Sequence, residues 1–268
     1  MCWKKISEWF KPVDSLPDYT NQTVASIVVG DYPGTANDLD GPPYDQIDFE
    51  NMVVSQWPQF VFRKFKDSAA TTTRFLSELK TIVARMKAGD LLLFIMDTCF
   101  SESNTRKIAP KNTLNIRVFH NPKYPKHKSR TNKVLSPTNG LRYVAMSACL
   151  DRETASDAVF DGRPGGAFHY ALIKTAEKGI TYRQWDYRAG LLLKQLGFEQ
   201  HCTIEGPDDL IDRKIFEGTV YVIEISSHGS HYYDENGDEP DRQDEGPYLY
   251  DGFLLDDKIA EVLKDLPN

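Results

Sequence analysis

Cysteine is scarce in this chain. The four present, Cys2, Cys99, Cys149 and Cys202, stand far apart, with no CxxC pair. That excludes a disulfide framework and points to reduced thiols in a cytoplasmic compartment. Positive charge is also in deficit. Against 39 Asp and Glu there are 32 Lys and Arg, and the net charge of −7 argues against nucleic acid as a partner. The same balance suits a site that prefers cationic substrates. Long hydrophobic runs are missing, so no membrane span is expected. Residues 1–11 lack the uninterrupted apolar core of a signal peptide. They carry Trp3, Ile6, Trp9 and Phe10 at roughly helical spacing, with lysines between. Such a helix either packs on the domain or lies on a membrane surface or partner. Strict internal repeats are absent.

What is present is enough for a sizeable core: 268 residues, 40% hydrophobic and 12% aromatic. Two stretches organise the rest. One runs from Leu91 to Ile95 and Met96, then Asp97-Thr98-Cys99-Phe100-Ser101. The other runs from Val220 to Ile225, then Ser226-Ser227-His228-Gly229. Each is a mostly apolar run that stops at small polar residues and one reactive side chain. Such a run, bounded by turn residues, reads as a strand buried on both faces of a parallel sheet. Catalytic groups of open α/β sheets lie just beyond the carboxyl ends of such strands. Cys99 and His228 are therefore expected on one rim, and a thiol beside an imidazole is the minimum for a cysteine nucleophile.

Between these stretches the pattern alternates strand and helix. Residues 1–23 read as a helix and linker, with Pro12 and Pro17 in the linker, and 24–268 as a single domain. Strands are expected at 25–30, 60–65 and 141–149, and helices at 47–56, 73–87, 167–178, 182–196 and 256–266. Residues 151–166 are polar and glycine-rich, and 200–217 read mostly as loop. Residues 101–140 form a long basic loop, either a cleavable activation loop or a solvated insertion. The expected fold is a three-layer α/β/α sandwich with a mainly parallel sheet.

At this point the residues resemble a known family. Asp97-Thr98-Cys99-Phe100-Ser101 is similar to the nucleophile motif of the metacaspases, caspase-like cysteine peptidases. Ser226-Ser227-His228-Gly229 is similar to their histidine motif. Residues 146–149, 165–168 and 181–182 resemble their small-subunit region. The acidic stretch from Asp234, with 248–257, resembles the segment that those peptidases carry after the histidine. Three departures stand out. The histidine strand, which precedes the cysteine strand in that family, here comes last in the chain. Glu102 stands where the family usually has Gly, and Pro42-Pro43-Tyr44-Asp45 where it has Cys-x-Asn-Asp.

The resemblance implies a caspase-like fold with rearranged strand order and peptide hydrolysis through an acyl-enzyme. Cys99 would be the nucleophile and His228 the proton carrier, with the N–H groups of Gly229 and Cys99 meeting the oxyanion. The non-enzymatic alternatives are a buried structural thiol and a hydrogen-bonded turn histidine. Asp97, Asp45 and Ser226 are implied to bind a P1 arginine or lysine of a protein or peptide substrate, since carboxylates match a guanidinium. Asp97 also reads as a strand-end cap. Activating calcium is implied at Asp244, Asp256 and Asp257, whose hard oxygens suit that ion. Asp256 and Asp257 equally favour the dipole of the last helix. A competing reading is a caspase-like scaffold without catalysis that binds peptides or protein partners.

Overall fold

Strong β-formers in unbroken apolar runs build the centre of this protein, described here from a computed structural model over residues 16–98, 113–116, 142–150, 153–233 and 243–267. The first half of the chain gives β1 (Gln22–Val28), α1 (Pro42–Gln56), β2 (Val61–Lys66), α2 (Thr72–Arg85), β3 (Leu91–Asp97), β4 (Thr113–Ile116) and β5 (Val144–Ser147). There follow β6 (Ser156–Phe160), β7 (Arg163–Gly166), α3 (Ala167–Thr175), α4 (Tyr182–Gln195), β8 (Thr203–Glu205) and α5 (Asp208–Ile211). The last are β9 (Val220–Ser226), β10 (His228–Tyr233), β11 (Gln243–Leu249), β12 (Gly252–Phe253) and α6 (Asp256–Leu263).

The fold is α/β, and its main sheet has six strands in the order β2-β1-β9-β3-β5-β8. All neighbours run parallel except the short edge strand β8, which is antiparallel to β5. Side chains alternate across the sheet and split the core in two. Leu91, Leu93 and Ile95 of β3 face one layer with Phe49 of α1, Phe168 of α3 and Trp185 of α4. Leu92 and Phe94 face the other, with Phe75 and Leu79 of α2 and Leu263 of α6. Helices thus cover both faces of a three-layer sandwich.

The strand sixth in that sheet to appear in sequence sits near its middle. β9 pairs with β1 on one side, Gln22 level with Val220, and with β3 on the other, Leu91 level with Val220 and Asp97 with Ser226. Beneath it, the Val220 N–H donates to the Asn21 carbonyl at 3.0 Å and the Leu91 N–H to the Thr219 carbonyl at 3.1 Å. Just before it, Phe216 packs edge-on against Trp57, Phe60, Tyr182 and Trp185.

Three segments differ from the sequence expectation. Residues 151–166 contain the hairpin β6–β7, whose turn residues Asp161 and Gly162 both have positive φ, 51° and 82°. An Asp-Gly pair in that conformation is a hairpin turn, so the polar stretch carries its own folding signal. Within the basic stretch 101–140, residues 113–116 form β4 and pair with β6. Helix α1 begins at Pro42, five residues early, because proline suits the first helical turn.

Candidate functional site

The carboxyl ends of β1, β9 and β3 carry a buried polar layer on the α1 and α3 face. Ser26, Glu224, Ser226 and Asp97 continue the stripes of Val24, Val222 and Ile95, so the pleat aims all four the same way. Asp45 and Gln46 come down from the first turn of α1, on the buried face that continues to Phe49. The first turn of α3 closes the layer. All of these polar side chains are buried, with Asp97, Ser226, Glu224 and His169 at 0% exposure.

The network is dense. The Ser226 hydroxyl donates to Asp45 Oδ2 at 2.8 Å, and the Gly166 N–H donates to Asp45 Oδ1 at 2.8 Å. A Cβ at Gly165 would come within 3.3 Å of that same Oδ1, so the backbone passes close to the carboxylate there. The N–H of His169 donates to Asp97 Oδ2 at 3.2 Å. Helix α3 has no side-chain cap from its own flank, and Asp97 supplies one from β3. Asp97 thus caps the helix laid over its strand, while Ser226 pairs with Asp45.

At the centre lies His169. Its Nδ1 is 2.9 Å from Asp97 Oδ2 and 4.0 Å from Asp45 Oδ2, and its Nε2 forms an ion pair with Glu224 Oε1 at 2.8 Å. Burial pushes the ring towards neutrality, but Asp45, Asp97 and Glu224 together outweigh it and raise its pKa from 6.5 to about 10. That favours the imidazolium, with Nδ1 hydrogen-bonded to Asp97 and Nε2 within ion-pair distance of Glu224. Glu224 is held in turn by the Ser26 hydroxyl, which accepts from Gln46 Nε2 at 2.9 Å. Asp45, Asp97 and His169 have the spacing of a metal-ligand set, yet an imidazolium has no lone pair to give a metal.

With this geometry in view, comparison with known proteins locates the chain by fold alone. No family model and no curated protein matches it. Among solved structures it is similar to a Geobacter sulfurreducens protein determined as a structural-genomics target. The TM-score is 0.50 and the identity 11%, over 73% of this chain and 98% of that one.

Beyond the polar layer, the histidine strand stays bonded to the cysteine strand past its end, the Ser227 N–H donating to the Asp97 carbonyl at 3.4 Å. Two residues past Ser226, His228 is 3% exposed. The loop after β1 holds it. Its Nε2 lies 2.6 Å from the Asn37 carbonyl, and its ring is tilted against Tyr32 at 4.9 Å between centroids. A carbonyl oxygen can only accept, so Nε2 carries a proton, and Nδ1 is the nitrogen that can serve as a base. The Tyr32 hydroxyl accepts from the His228 N–H at 2.9 Å and donates to the Tyr248 carbonyl at 3.1 Å, standing inside the β10–β11 ladder.

Gly229 lies opposite Pro247. The Pro247 carbonyl accepts from the Leu254 N–H at 3.0 Å, on the side away from β10. Gly229 and Pro247 are therefore a pair that exchanges no ladder bonds, and the Gly229 N–H points off the outer edge of β10.

Cys99 lies outside the described residues, as do residues 1–15, most of 101–140 and 234–242. Of the residues implied for calcium, Asp244 is on β11 opposite Tyr232, and Asp256 and Asp257 open α6. The side chains of Asp244 and Asp256 are outside the described residues. Among the described helices none is long and apolar enough to cross a membrane.

Sequence reasoning missed His169 and Glu224, and both left a trace. Glu224 is the one charged residue in the run Val220–Ile225, where a buried carboxylate requires a partner. His169 shares its helix face with Phe168 and Leu172, the face that meets the sheet.

Proposed function

We propose that this protein is a cysteine endopeptidase that cleaves after arginine or lysine. Cys99 attacks the scissile carbonyl carbon as a thiolate, and His228 takes the thiol proton and delivers it to the leaving amine. Water then hydrolyses the thioester with His228 as base. The Gly229 N–H meets the oxyanion, and the Asp45–Asp97–Ser226 floor meets the basic P1 side chain.

One observation carries this reading: β9 is the parallel neighbour of β3, with Ser226 level with Asp97. Cys99 and His228 each follow their paired residue by two positions. The orientation of the His228 ring, with Nε2 donating to the Asn37 carbonyl and Nδ1 as the atom that can accept a proton, supports the role of base.

An Arg-P1 fluorogenic peptide tests it. Turnover is expected from the wild type and abolished by Cys99→Ala and by His228→Ala. Calcium activation at Asp244, Asp256 and Asp257 is part of the proposal, because α6, which Asp256 and Asp257 open, packs against β11, which includes Asp244. Chelation should then lower the rate, and Asp257→Asn should weaken the response to added calcium. The second reading, a scaffold that binds peptides without cleaving them, is favoured by His169, which already fills the acidic floor. Folded protein without turnover, with or without calcium, would decide for it.

A further inference from the structure

The acidic floor that would receive a basic side chain already contains a cation. The His169 ring is planar and carries two N–H donors. One nitrogen hydrogen-bonds Asp97 at 2.9 Å with Asp45 at 4.0 Å, and the other lies 2.8 Å from Glu224. A guanidinium is also planar and many-donored, and the same carboxylates would meet it. The ring is wedged edge-on against Phe49, 5.9 Å between centroids at 86°, and is fully buried. Two cations do not fit among these oxygens.

We propose that His169 is the specificity-determining residue of this pocket: it stands where a substrate's guanidinium or ammonium would lie, so a basic P1 side chain binds only by displacing it. The proposal rests on the reading that Asp45, Asp97 and Ser226 line the P1 site of a peptidase. Asp45 and Gly165 also line a cavity of about 350 Å³ bounded by α1, β7 and α3. The cations at that cavity are engaged elsewhere, Arg163 with Asp48 at 2.8 Å and Lys174 with Asp161 at 3.0 Å, so neither competes for Asp45.

Cation binding is measured apart from catalysis, on full-length Cys99→Ala protein with methylguanidinium as the probe, by titration calorimetry. Adding His169→Ser is expected to tighten binding by about tenfold or more, and Asp97→Asn on top of it to abolish the gain. Equal affinity with and without His169, no binding in either, or a gain that survives Asp97→Asn overturns the proposal. Where His169→Ser does not fold, refolding is compared in millimolar methylguanidinium chloride and in sodium chloride of equal ionic strength. Recovery with the organic cation alone supports the assignment, and recovery with neither, or with both alike, overturns it.

In the protein with Cys99 intact, His169→Ser is expected to lower KM for an Arg-P1 peptide by about tenfold relative to a neutral-P1 peptide. Absence of turnover from every variant, with the cation gain present, would sink the peptidase reading alone. An unchanged KM in an active enzyme would sink the role of His169 alone.

Discussion

A histidine at 0% exposure would ordinarily be neutral. His169 is charged because three carboxylates from α1, β3 and β9 converge on it, and this has a signed consequence. Its pKa is higher folded, about 10, than its ordinary value of 6.5. The stabilisation is therefore fully present below 6.5 and lost as pH rises through about 10. Urea midpoints across that window should fall for the wild type, while His169→Gln shows a flatter profile. Removing one partner of a buried ion pair strands the other, so Asp97→Ala should cost about 3–5 kcal/mol in chemical denaturation. Tyr32 makes a milder case. Its hydroxyl bridges the His228 N–H and the Tyr248 carbonyl, and Tyr32→Phe removes that bridge. A loss of about 1–3 kcal/mol is expected, with slower alkylation of Cys99 as His228 loses its support.

Among the elements, the approach to β9 matters most. Phe216 has φ of 57°, a left-handed conformation uncommon for a bulky residue. It is held there by four aromatic neighbours and by the Tyr182 hydroxyl, which accepts from the Phe216 N–H at 3.0 Å. Phe216→Ala should cost about 3–5 kcal/mol, and a thermal melt should show the loss. How far such elements can be read in the chain depends on how local their causes are. The buried strands β3 and β9 were legible because burial on both faces demands a continuous apolar run. Helix α2 was legible from its apolar stripe, and its cap Thr71 accepts from the Arg74 N–H at 3.1 Å. The edge strand β8, three residues long and half-buried, carries no such pattern. Asp97, Asp45 and Ser226 were legible as motif residues. His169 was not, because its role exists only once α3 is laid over the ends of β3 and β9. The hold of Asn37 and Tyr32 on His228 likewise depends on where the loop after β1 comes to rest.

The molecule as a whole depends on β9. Without it, β2-β1 and β3-β5-β8 are two partial sheets with no shared hydrogen bonds, each exposing a long apolar edge. A chain truncated after Gly218 should aggregate or bind a hydrophobic dye rather than fold, and supplying residues 219–268 separately should restore native circular dichroism. Cooperative folding of the truncated form would contradict this. The order of synthesis adds something to the picture. A ribosome makes both flanks of the wall before its middle stave, so the paired rim of Asp97 and Ser226 cannot exist until β9 is made. Whatever chemistry that rim performs is withheld until the histidine strand has emerged behind the cysteine strand.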